Sequence, residues 1–193
     1  MRIRLYALTL LTTLPAMTLS AQAPADRSGF FLSIGAGSGS AGVECPACNG
    51  LGLDDRLRGI AGYLRVGGTI SPRLQVGVEG TGWIKNSDGL ERRIATAGVV
   101  FVVYPSATGG FHVKASAGGV RAVIENDVVT AVGDGLMLGA GAGFDIRIGA
   151  GAALTPYISY FTSSGTGLDL NGISVGTDVN PNVLQFGLGI TLP

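Results

Sequence analysis

After residue 23 this chain has no apolar run long enough to cross a bilayer as a helix, which takes roughly 18 to 20 continuous residues. Its best stretch, Ile94 to Tyr104, falls well short. Yet the chain is apolar as a whole. Mean hydropathy is +0.43 and only 13% of residues are charged, against about 25% in ordinary soluble domains. Lipid offers no partner to a backbone N–H or C=O, so an apolar chain without a spanning helix can satisfy its backbone in a membrane only as a closed sheet. Such a sheet requires its two faces to alternate along every strand, and the chain does alternate.

The first 23 residues read differently. Arg2 and Arg4 precede an apolar stretch from Leu5 to Leu19 and then the small residues Ser20, Ala21 and Ala23, the three-part layout of a secretory signal peptide. Ala21-Gln22-Ala23 fits a cleavage site, and Pro24 immediately beyond it makes a cut after Ala21 the alternative. Residues 24–193 then form one domain of roughly 170 residues. Formal net charge is zero, and removal of Arg2 and Arg4 leaves the rest slightly acidic. That charge excludes an electrostatic footprint for nucleic acid.

Period-2 segments recur with turn residues between them. Gly29 to Ser40 sets Phe30, Leu32, Ile34 and Ala36 against Phe31, Ser33, Gly35 and Gly37; Arg58 to Ile70 sets Ile60, Leu64, Val66 and Ile70 against Ala61, Tyr63, Arg65, Gly67 and Thr69. After the short turn Ser71-Pro72-Arg73, Leu74 to Ile84 places Leu74, Val76 and Val78 opposite in sense to Gln75, Gly77, Glu79, Thr81 and Trp83. Facing Ile70 with Leu74 across that turn pairs Thr69 with Gln75, Arg65 with Glu79 and Tyr63 with Thr81. Further strands are expected over Arg93–Tyr104, Phe111–Val123, Leu136–Ile148, Ala153–Thr162 and Asn182–Leu192. Pro156 stands out in the seventh, since proline interrupts a ladder away from a strand start or bulge. Tyr104 and Phe111, bracketing the turn Pro105 to Gly110, fit an aromatic girdle at the headgroup level.

Eight strands result, with connections alternating between short and long. The expected long ones cover residues 42–57, 85–92, 125–135 and 163–181 and hold most of the charges, including Asp54, Asp55, Arg56, Lys85, Asp88, Glu91, Asp127, Asp134, Asp169 and Asp178. Five charges within strands, Arg65, Glu79, Lys114, Asp145 and Arg147, share the less apolar parity. An arginine at the lipid midplane costs about 2 to 4 kcal/mol, so this shared face is the lumen. A soluble lipocalin-type barrel would have the reverse polarity. The expected fold is therefore all-β: a closed, antiparallel, eight-stranded transmembrane up-and-down barrel behind a cleaved signal peptide.

With these features the chain resembles the small outer-membrane β-barrel family typified by OmpX, OmpW and the barrel half of OmpA. The last strand carries the most specific likeness: Gln185, Gly187, Ile190 and Leu192 occupy the places of the family's barrel-assembly signal, with Pro193 where an aromatic usually ends the chain. The resemblance implies an outer-membrane monomer with both termini in the periplasm. Its implied partners are outer-membrane lipids and, during biogenesis, periplasmic chaperones and the barrel-assembly machinery.

Few residues suggest chemistry. Cys45 and Cys48, in Cys-Pro-Ala-Cys, read best as a disulfide staple in the first outer loop; reactive thiols or half a zinc site are the alternatives. Gly37 to Gly42 has the spacing of a dinucleotide fingerprint, which works only where a helix follows, and none is expected. His112, the single histidine, falls beside a periplasmic turn and away from the outer rim where outer-membrane acyltransferases work. No catalytic set, metal site or cofactor is expected. Arg65 with Glu79, and Lys114 with Asp145 and Arg147, read as ionic contacts filling a narrow lumen. The expected role is non-enzymatic, exerted through the outer loops. The likeness to OmpW implies the alternative of a narrow channel or a conduit for small apolar solutes.

Overall fold

The computed structural model describes residues 27–44, 56–87, 89–125, 130–149, 151–170, 172–178 and 180–192. The expected signal peptide (residues 1–23), Cys45, Cys48, Asp54, Asp55, Asp88, Asp127 and Pro193 lie outside them. Ten strands form one sheet: β1 (Phe30–Glu44), β2 (Leu57–Ser71), β3 (Leu74–Ser87), β4 (Leu90–Val103), β5 (Phe111–Glu125), β6 (Thr130–Phe144), β7 (Ile146–Arg147), β8 (Ala153–Leu170), β9 (Ile173–Asp178) and β10 (Asn180–Leu192). Each long strand pairs antiparallel with its neighbours in the order β1-β2-β3-β4-β5-β6-β8-β10, and β10 returns to β1. The sheet is thus a closed eight-stranded barrel. The two-residue β7 and the six-residue β9 are additions on β8.

The alternation read from the sequence is the alternation of the wall. Ile60, Leu64 and Val78 are outward and exposed at 70%, 52% and 55%, whereas Tyr63, Arg65 and Glu79 are inward at 5%, 6% and 4%. The β2–β3 pairs Thr69/Gln75, Arg65/Glu79 and Tyr63/Thr81 are present as counted. One detail differs, because a register shift between Thr69 and Ser71 brings Ser71, not Ile70, opposite Leu74. Ile70 is extruded at the bulge and 69% exposed.

The long connections are corrected more substantially. Residues read as loops continue as strands: Lys85 pairs with Arg92 and Ser87 with Leu90, β6 begins at Thr130 opposite Glu125, and β8 runs to Leu170 before the β9 hairpin. Apolar alternation marks only the part of a strand with one greasy face. Where the hairpins project beyond the apolar belt, the ladder persists while the alternation fades. Arg93 shows this, held between Glu91 (2.9 Å) and Glu125 (2.8 Å), as does the exposed pair Arg121 and Asp134 at 3.6 Å.

Two further corrections concern the end that carries the termini. The sixth strand breaks at Asp145 rather than continuing to Ile148. The ladder with β8 stops at Gly143/Tyr157 and resumes at Ile146/Leu154, so the gap lies opposite Pro156, which has no N–H to give. Asp145 N donates instead to Gly110 O at 3.0 Å. Tyr104 is not a girdle residue: it follows Val100 and Val102 on the inward parity and is 2% exposed, whereas Phe111 does point outward at 47%.

Inward glycines make room for inward aromatics. Tyr63 lies across Gly35 and Gly189, and Trp83 lies across Gly39 and Gly59, so that a methyl group would overlap the tyrosine ring at Gly35, its hydroxyl at Gly189, and the indole at Gly39 and Gly59, where it would also meet the Ile84 carbonyl at Gly59. In a narrow barrel, a large side chain from one strand is accommodated by none from the strand it crosses.

Val78, paired with Val99, tests the polarity of the wall. Val78→Arg is expected to destabilise the barrel by about 2 to 4 kcal/mol, read as a lowered urea midpoint for protein folded in lipid vesicles. An unchanged midpoint would mean that this face does not meet lipid.

Candidate functional site

Among the described residues, polar side chains from distant strands converge in the lumen, which is filled in three layers. In the middle, Glu79 of β3 takes two cations. Arg65 of the adjacent β2 approaches at 2.8 Å through a guanidinium N–H, and Lys114 of β5 donates to both carboxylate oxygens at 2.5 and 2.7 Å. β4 stands between β3 and β5, so the lysine contact reaches across the wall's curvature. All three are buried, and Tyr63 supports both cations, its ring centre 5.0 Å from the Arg65 guanidinium and 5.6 Å from Lys114 Nζ. Tyr157 packs edge-on against Tyr63 at 4.8 Å.

Toward the termini, Asp145 is the acceptor around which the side chains are arranged. Thr155 Oγ1 donates to it at 2.7 Å and the Tyr104 hydroxyl at 2.9 Å, and His112 Nδ1 lies 3.8 Å away. Hydroxyl contacts continue from Thr155 to Thr191 (3.1 Å), Ser33 (2.8 Å) and Tyr63 (3.0 Å). Arg27, just ahead of β1, closes this mouth. Its guanidinium stacks 3.6 Å from the Tyr104 ring centre and donates to Ala107 O at 3.0 Å, to Gly109 O and, at 3.5 Å, to Pro72 O.

Toward the hairpin end, the polar filling gives way to a buried cluster of Ala41, Ala61, Trp83, Ile94, Val120, Met137, Phe161 and Val183. The Trp83 indole N–H is satisfied by Gly39 O at 3.1 Å.

The charged residues singled out in the sequence therefore sort differently from the expected grouping. Arg65 and Glu79 meet, but Lys114 joins them rather than Asp145. Asp145 belongs with Tyr104, Thr155 and His112, and Arg147 is half-buried in β7. Four positions of the expected assembly signal lie on β10: Gln185 is fully buried in the lumen, Gly187 pairs with Gly37 and Tyr157, and Ile190 and Leu192 point outward at 46% and 41% exposure. Gly37 to Gly42 is extended β1 backbone, with no helix among the described residues to receive a phosphate. His112 is buried beneath Tyr104, their ring centres 5.1 Å apart. No cluster of three or more His, Cys, Asp or Glu residues able to hold a metal occurs among the described residues.

Arg27, Tyr104, Thr155 and the apolar cluster were not identified from the sequence. Parity alone places Tyr104 and Trp83 inward, but neither the cluster nor the Arg27 contact follows from counting along neighbouring strands.

The architecture defined by this wall and its packed lumen is that of the small eight-stranded outer-membrane barrels. Among solved structures, Neisserial surface protein A is similar to it at a TM-score of 0.62 and 14% identity, covering 86% of this chain and 97% of that one. Ail, the attachment invasion locus protein of Yersinia pestis, is similar at a TM-score of 0.50 and 15% identity, covering 84% and 99%. At these identities the likeness is one of fold. No family model and no curated protein matches the chain.

Glu79 sits between two buried cations, so Glu79→Ala leaves both uncompensated and is expected to cost about 3 to 5 kcal/mol. Glu91→Ala removes only an exposed partner of Arg93 and is expected to cost about 0 to 1 kcal/mol. Urea unfolding of the two variants in the same vesicles compares them directly. Lys114→Met is expected to fall between them, since Glu79 keeps Arg65.

Proposed function

We propose that the chain is an integral outer-membrane protein of a Gram-negative-type cell and that it performs no enzymatic step. In this reading it acts through the surface of its hairpin end, as a monomer held by outer-membrane lipids after delivery by periplasmic chaperones and the barrel-assembly machinery. The termini face the periplasm and the long hairpins face outward. The carrying observation is the occupied lumen: the Arg27–Tyr104 cap, the Glu79 ion pairs and the Trp83 cluster stand one above another. Eight strands leave an interior just wide enough for side chains, and here side chains take up most of that space. What such a barrel offers its surroundings is its rim.

The charged collar on the projecting hairpins supports the assignment of that end to water. Arg93 with Glu91 and Glu125, and Arg121 with Asp134, lie just beyond the apolar belt on the outward face. The names of the two similar structures speak of a surface protein and of attachment and invasion, and a surface-contact role here accords with them.

Purified protein in planar lipid bilayers is expected to show no reproducible conductance steps. Heat-dependent mobility on gels and a β-type circular dichroism spectrum would establish that the protein under test is the folded barrel. Regular steps from such folded protein would instead assign it the narrow-channel role.

A further inference from the structure

Halfway along the lumen, Gln185 of β10 is fully buried, and neither its amide nitrogen nor its amide oxygen has a hydrogen-bond partner among the described residues. Ser159 of β8 lies directly opposite it in the β8–β10 register, and its hydroxyl is in the same condition. An unsatisfied buried amide or hydroxyl is destabilising, so two of them side by side call for a shared partner. They face one cavity, whose wall also includes Glu79, Lys114, Thr81 and Thr96. The two threonines already bond each other at 2.7 Å, and Lys114 is committed to Glu79.

Size and charge identify the partner. The space open to the centre of a guest is about 10 Å³, and a single water needs roughly 10 to 15 Å³ by that measure. The charged residues that line it, Lys114 and Glu79, are paired with each other and sum to zero. An added ion would therefore enter a buried site without a countercharge.

We propose that the lumen contains a structural water site, in which one captive water is hydrogen-bonded to the Gln185 side-chain amide and the Ser159 hydroxyl. Escape toward the hairpins is blocked by the Trp83 cluster, whose indole N–H is already satisfied. Toward the termini, the lumen is occupied by the crossed rings of Tyr63 and Tyr157. The water completes the layer of Glu79 and gives the inward Gln185 a role in the finished barrel.

The test is a crystal structure of the folded wild-type barrel at a resolution that shows ordered water, with a parallel measurement of water-to-amide cross-relaxation at the Gln185 side chain. The expected result is a density peak about 2.7 to 3.2 Å from both groups, together with a cross-peak from the Gln185 NH₂ to water. In Gln185→Leu, which removes both the amide donor and the amide acceptor, the peak is expected to be lost. The proposal is overturned if the wild-type density shows the Gln185 amide bonded directly to Ser159, Lys114 or Glu79 with no peak between them, or if an ion occupies the site. The wild-type structure decides the matter even if the leucine variant fails to assemble.

Discussion

The structure depends on one pairing, that of the first strand with the last. From Leu32 opposite Leu192 to Glu44 opposite Asn180, β1 and β10 share a continuous ladder, and with it the sheet loses both edges. A closed sheet leaves no row of unpaired N–H and C=O groups, which is the condition for backbone to reside in lipid without helices. Everything else follows from the geometry of closure. Eight strands fix a narrow interior, the narrow interior sorts side chains by size and charge, and the outward parity is left free to be greasy.

Within that interior, polarity is graded rather than uniform. Hydroxyl groups and a carboxylate fill the end near the termini, an arginine, a glutamate and a lysine fill the middle, and aliphatic, sulfur and aromatic groups fill the end near the hairpins. Each layer is nearly self-sufficient. Asp145 has two hydroxyl donors and Glu79 has two cations, so both carboxylates are partnered by other lumen side chains. Such self-sufficiency is what a side-chain-filled barrel needs.

The wall was legible in the sequence because its information is local. A period of two, broken by turn residues, locates strands and faces, and the short turn Ser71-Pro72-Arg73 fixes Arg65 against Glu79 by counting. The Lys114–Glu79 contact was not legible, because β3 and β5 are not neighbours and the distance between them is set by closure and curvature. The projecting hairpins were misread as loops for a different reason. Residues 85–87, 90–92 and 130–135 keep their ladder partners, but water bathes both faces there and no apolar alternation announces a strand. Tyr104 was misread through its chemistry, as an aromatic beside a turn, although the parity of Val100 and Val102 points it inward.

The crossing of Tyr63 over Gly35 and Gly189 has an evolutionary consequence. These three positions lie on three different strands and are far apart in the chain, yet they share one volume. A larger residue at either glycine is compatible with the barrel only once the tyrosine has shrunk, and the reverse order of substitution passes through a cavity rather than a clash. Divergence at this level of the barrel should therefore proceed in one direction, with the aromatic lost first and the glycines replaced afterwards.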